Sequence, residues 1–111
     1  MKPTNEEITE SYLNYCRFAW SENWLSELVR KHPEDAWEVM KGIAENSGSP
    51  EIELLISAGP FKMFILLHGE EYIAKICEQA RESEAFLRVL SGVRGIESLP
   101  PAVRNRLRKI L

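Results

Sequence analysis

Cysteine is scarce in this chain, with Cys16 and Cys77 alone and neither in a Cys-x-x-Cys pair. That excludes a disulfide framework and a paired-cysteine metal ribbon, and it points to reduced, buried cysteines of an intracellular protein. Long apolar runs are also missing, since the longest, Met63 to Leu67, is far short of the roughly 20 residues that span a bilayer. No membrane segment is expected. The first twenty residues carry Glu6, Glu7 and Glu10 and no apolar stretch, so no secretory signal is expected either. Period-two runs of β-branched residues and Asn-Gly or Asp-Gly hairpin signals do not occur, which argues against strands. No Gly-x-Ser-x-Gly elbow and no His-x-x-x-His, His-Glu-x-x-His or Glu-x-x-His spacing is present. Nothing therefore advocates nucleophilic catalysis, a metal site or a cofactor.

What the 111 residues do hold is helical periodicity, over a length that buries a conventional apolar core in a single domain, residues 1–111. Thr4 and Glu7 form a capping box ahead of Ile8, Tyr12, Tyr15, Cys16 and Ala19, which predicts a helix over about 5–20. Ser21 is expected to cap a second, carrying Trp24, Leu25, Leu28 and Val29 inward and stopping before Pro33. Pro33 opens a third, with Trp37, Val39, Met40, Ile43 and Ala44 inside and Asn46-Ser47-Gly48 as its break. In the stretch from Ser49 to Gly69, a capping Ser, Gly59, Pro60 and Gly69 predict two short, nearly unlinked helices, about 50–58 and 60–68. Further helices follow from Glu70, over Glu84 to Ser91, and over about 100–111. The expected architecture is all-α, a compact bundle of seven or eight short helices in antiparallel pairs.

Charge is unevenly spread behind the net −3: residues 1–84 hold 16 acids and 8 bases, residues 85–111 one acid and 6 bases. An acidic body favours encounter with basic proteins and repels nucleic acid. Glu34, Asp35, Glu38, Glu45, Glu51 and Glu53 could form one negative rim, although such a set is usually a solvated face. Glu34, Asp35 and Glu38 share a helix side with few intervening bases. Among the tryptophans, Trp20 at the first helix junction is a candidate interface anchor, with core packing as the alternative. Arg104, Arg106, Arg108 and Lys109 form an alternative basic patch. His32 and His68 are expected at helix ends, where an imidazole can satisfy orphan carbonyls. Acid–base chemistry would need a pocket gathering His68 with Glu70 or Glu71.

The segment His32-Pro33-Glu34-Asp35-Ala36-Trp37-Glu38, then Ala58-Gly59-Pro60-Phe61, Leu66-Leu67-His68-Gly69 and Phe86-Leu87-Arg88-Val89-Leu90-Ser91-Gly92-Val93, resembles a widespread bacterial domain family of unknown function. The likeness covers about residues 24–95. Phe61-Lys62 stands where that family prefers Leu-Glu and Ser83-Glu84 where it prefers Asp-Pro, so any role of that missing acid does not carry over. The resemblance implies a HEAT-like all-helical fold and no established activity. Small acidic members of such families are similar to immunity proteins, which neutralise a bacterial toxin by covering its active face. The resulting expectation is a non-enzymatic, cytoplasmic binding module, monomeric or weakly dimeric, whose partner is a nuclease-type toxin domain. The alternative is a small regulator touching nucleic acid or an acidic partner through its basic end.

Overall fold

Thr4 and Glu7 satisfy each other's backbone amides, Glu7 N–H donating to Thr4 Oγ1 and Thr4 N–H to Glu7 Oε1, both at 3.1 Å. This box starts α1, Asn5–Leu13. The computed structural model describes residues 3–13 and 18–111, with residues 18–21 described by their backbone alone. The chain continues as α2 (Phe18–Lys31), α3 (Pro33–Asn46), α4 (Pro50–Ile56), α5 (Lys62–Glu82), α6 (Glu84–Ser91) and α7 (Pro101–Ile110). Among the described residues there is no strand. Residues 18–20 belong to α2 and Ser21 lies inside it, so neither the expected end of the first helix nor the Ser21 cap is found. Tyr15, Cys16 and the side chains of Ala19 and Trp20 lie outside the described residues.

The greasy stretch is not divided in two. Ser57–Phe61 is a π turn that carries α4 into α5 without a break, with Pro60 buried inside it. Proline has no N–H to give, and its ring clashes with the carbonyl four residues back; a wider turn relieves both. Gly59 therefore does not close a helix and Pro60 does not open one. Gly69 likewise sits within α5, where a Cβ would lie 3.3 Å from Val103 of α7. Ser49 is extended ahead of Pro50, and its side chain makes no capping hydrogen bond. The continuous helix Pro50–Glu82 runs 33 residues and, by length and composition, is apolar enough to cross a membrane, with 44% of its apolar window buried inside the fold. Counting only Met63 to Leu67 missed that length. Packing against α2, α3, α6 and α7 accounts for the buried side.

Other boundaries follow the sequence. α3 ends where Gly48 takes a left-handed φ of 55°, a conformation cheap only without a Cβ. Ser83 caps α6 by accepting from Phe86 N–H at 3.1 Å. One cluster of buried side chains runs from Ile8 through Leu107. Its centre is aromatic: Trp37 of α3 lies 5.6 Å from Phe86, 5.9 Å from Tyr72 and 6.0 Å from Phe64, centroid to centroid, so rings from α3, α5 and α6 lock together. The radius of gyration is 13.0 Å, what a close-packed chain of this length should have, about 13 Å.

Neighbouring helices are not only antiparallel. Asn5 reaches Asp35 at the start of both α1 and α3, while Thr9 faces Gly42 further on, so these two run the same way. α7 lies along α5 in the same manner, with Val103 on Gly69 and Ile110 beside Ala80 and Glu82.

Candidate functional site

α3 buries Ala36, Trp37, Val39, Met40, Ile43 and Ala44, and the helical period leaves Glu34, Asp35, Glu38 and Glu45 on its solvent side. Glu34 and Asp35 occupy the first turn, where the positive helix end favours carboxylates; Glu38 and Glu45 lie beyond that influence. Lys41 comes within 3.7 Å of Glu38, a long and exposed contact that offsets little of the charge. α1 approaches this face at Gly42, where an added Cβ would meet Thr9 at 3.4 Å, an ordinary contact. Between the two helices runs a groove of about 610 Å³, lined by Asn5, Glu6, Thr9, Glu10, Leu13, Glu38, Gly42 and Asn46. Glu6 and Glu10 thus add two carboxylates from α1 that the sequence reading did not place with Glu38. Their spacing of four, one helical turn, was the available signal.

The expected single rim breaks elsewhere. Glu53 turns away to α6, where its carboxylate takes the Arg88 guanidinium at 3.2 Å from Nε and 3.0 Å from Nη2. The Glu53 side chain is only 16% exposed, so it serves as a clamp between α4 and α6. Glu45 accepts from the Gln79 amide and ties α3 to α5. Glu51 is exposed on α4 and does not line the groove. Of the tryptophans, Trp37 is core and the Trp20 side chain is outside the described residues. Trp24, expected inside, is half-buried and lines a second cleft of about 390 Å³ with Pro3, Asn5, Glu27, Leu28, Lys31, His32 and Asp35. Asn5 borders both hollows. In the second, Glu27 holds Lys31 at 2.7 Å and Arg30 at 3.0 Å, and these cations draw its carboxyl below the usual range.

At the other end of the molecule, the basic set is partly consumed by its own loop. Arg104 Nη1 donates to the Glu97 carbonyl at 3.4 Å and Arg108 pairs with the Glu97 carboxylate. Arg106 and Lys109 are exposed and make no ion pair among the described residues. His68 lies in mid-helix, yet its Nε2 is 2.6 Å from the carbonyl oxygen of Val29, an acceptor in the last turn of α2 that no helical N–H reaches. The role foreseen for it is there, but it serves a neighbouring helix. A cleft of about 410 Å³ does gather His68 with Glu70, Glu71, Leu66, Leu67 and Pro100. The imidazole packs at an angle against Phe64 and Tyr72, at 5.4 and 6.5 Å between centroids, and is committed to Val29, while both glutamates are exposed. Burial, then Glu34 and Glu71, push the Tyr72 hydroxyl above its ordinary value. Cys77 is a buried free thiol, and no group of three or more metal-ligating side chains occurs among the described residues.

The described residues therefore define an all-helical domain with an acidic groove between α1 and α3. The chain belongs to the family described as "Family of unknown function (DUF6869)", whose match spans residues 9–111. No curated protein and no solved structure matches it.

Proposed function

We propose that the domain is a protein-binding module that acts by covering a basic partner with the acidic face of α1 and α3, without a reaction of its own. The observation that carries this is the groove in which Glu6, Glu10 and Glu38 converge with almost no neutralising base. A nuclease-type toxin domain is the partner class that fits, because proteins that grip the nucleic-acid backbone neutralise its phosphates with lysines and arginines, and an acidic cover competes for them. The domain then acts as an immunity protein, in the cytoplasm, as a monomer or weak dimer, and a HEAT-like stacking of its helices belongs to the same proposal. The alternative partner surface, α7, offers Arg106 and Lys109 as its uncommitted cations, fewer than tight phosphate binding uses.

The test is capture and inhibition of a nuclease-type toxin domain, sought first in the reading frames adjacent to this one. Wild-type chain should capture it and block its cleavage of nucleic acid, and the triple substitution Glu34→Lys, Asp35→Lys, Glu38→Lys should abolish both while the far-ultraviolet circular dichroism is unchanged. Undiminished capture by the triple variant rejects this face.

A further inference from the structure

The cleft beside the acidic groove has a composition that the groove lacks. Pro3, Trp24 and Leu28 supply apolar walls, Trp24 being half-buried against the core. Lys31 and His32 also line this space, Lys31 being held by Glu27 at 2.7 Å, and one carboxylate there has no cation paired with it among the described residues. Asp35 is held by the Asn5 side-chain amide, whose Nδ2 donates to Oδ1 at 3.1 Å, and it makes no ion pair among the described residues. The other acid of the cleft, Glu27, is already occupied by Arg30 and Lys31. At about 390 Å³ the hollow sits near the lower end of the roughly 300–1,000 Å³ range of ligand pockets, room for a single side chain and not for a helix.

An aromatic side chain, an apolar wall and a carboxylate hydrogen-bonded by Asn5 together match a cation carried on an aliphatic stem. Between the two such side chains the geometry favours arginine. Its planar guanidinium stacks on an indole and donates in a fork to a carboxylate, and it sheds water more readily than an ammonium. The Asn5 amide donates to one Asp35 oxygen and leaves the other for a bound cation, so part of the carboxylate's freedom is already given up before docking.

We infer that the cleft between Trp24 and Asp35 is an anchor pocket for one arginine side chain of the basic partner, with the adjoining groove taking the surface around it. This rests on the reading of the α1 and α3 face as a site for a basic protein. It adds the residue type that is inserted and the two side chains that select it.

The probe is the capped tripeptide acetyl-Gly-Arg-Gly-amide, titrated into the ¹⁵N-labelled full-length chain, with the neutral isostere acetyl-Gly-citrulline-Gly-amide as its control. Saturable shifts at the Trp24 indole N–H, the Asn5 side-chain amide and the Asp35 backbone amide are expected, with the citrulline peptide weaker by about tenfold or more. Asp35→Asn, which keeps shape and the Asn5 contact, should weaken the arginine peptide by a similar factor while the melting temperature moves by less than about 4 °C. Trp24→Leu should do the same to the peptide. Equal binding of the two peptides, an unaffected Asp35→Asn variant, or shifts centred on Glu6, Glu10 and Glu38 would each overturn the pocket. The two proposals fail separately. Capture of the toxin-like domain by an Asp35→Asn, Trp24→Leu chain at wild-type strength sinks the pocket and leaves the acidic face standing, whereas peptide binding without any partner capture sinks the functional reading and leaves the pocket.

Discussion

The hydroxyl of Ser57 lies 2.7 Å from the backbone carbonyl oxygen of Val89, a contact that bridges 32 positions of sequence and pins the π turn to the end of α6. The same hydroxyl is 2.7 Å from the Glu53 carbonyl, and Gly92 packs directly on it, so that a Cβ at 92 would lie 2.9 Å from Ser57 Oγ. Ser57→Ala should cost about 1 kcal/mol, since Val89 O keeps the Gly92 N–H as a donor. Gly92→Ala should cost about 1–3 kcal/mol, because Oγ sits on the first carbon of its side chain and cannot swing far. The double variant should cost less than the sum of the two, as removing Oγ makes room for the new methyl. Urea unfolding of all four chains measures that coupling, and strict additivity would show that the two residues do not share the space.

Glu22 is half-buried beside Gly59, where its Oε1 lies 3.3 Å from the position a Cβ would take. Burial raises its carboxyl above the ordinary 4.5, and a hydrogen bond with Tyr12 works in the opposite direction more weakly. The folded state therefore holds this proton more tightly than the unfolded one, and stability falls as pH rises from the ordinary carboxylate range through the raised value. Glu22→Gln should be more stable than wild type at pH 7, by at most about 1 kcal/mol given the water that still reaches the group. The gap should close below pH 4.5, where the wild-type carboxyl is protonated in both states. Denaturant midpoints at the two pH values decide it, and a gap that is constant or reversed would remove burial as the cause.

Gly69→Leu forces branched carbon into the seam where Val103 stands 3.3 Å and Ile65 3.4 Å from the glycine's missing Cβ. Overpacking of this kind should cost about 2–3 kcal/mol and lift α7 off α5. Gly69→Ala should be near neutral, the roughly 1 kcal/mol gained in helix propensity offsetting the tight contact. Limited trypsin proteolysis reports the detachment, since Arg104, Arg106 and Arg108 are held in helix while α7 is docked and become cleavable once it is released.

Glu6→Lys with Glu10→Lys reverses the α1 side of the groove and touches no core residue. The melting temperature should fall by less than about 4 °C, while association with the basic partner slows about tenfold at low salt. The two chains should converge near 1 M salt, where the screening length is about 3 Å. Stopped-flow association at two ionic strengths measures this, and identical rates at low salt would remove α1 from the encounter surface.

Much of the fold was legible because its signals are local. The Thr4 and Glu7 box, Pro33 in the first turn of α3, Gly48 behind that helix and Ser83 ahead of α6 each act within a turn of the residue that carries them. The region around Pro60 was not, because Gly and Pro usually stop and start helices, and whether a chain breaks or widens there depends on what lies against it. Gly69 misled for a related reason: its hydrogen in place of a side chain admits Val103, a residue 34 positions on. That Glu34, Asp35 and Glu38 share an exposed side followed from spacing alone. The departure of Glu53 to Arg88, the arrival of Glu6 and Glu10, and the loss of Arg104 and Arg108 to Glu97 are tertiary events with no counterpart in helical periodicity.

The five residues of the π turn also set the angular phase of everything after them. A π turn holds one residue more than an α turn, so it takes up a surplus position while the helices on either side keep their facing. Deleting a single position between Ser57 and Phe61 should therefore return the rod to plain α winding, with His68 still at Val29 and Gly69 still at Val103. The same deletion between Lys62 and Leu67, where the winding has no slack, would swing both of them away by about 100° and unseat α2 and α7 together. The wide turn is the one stretch of the rod that can give up a link without turning everything downstream.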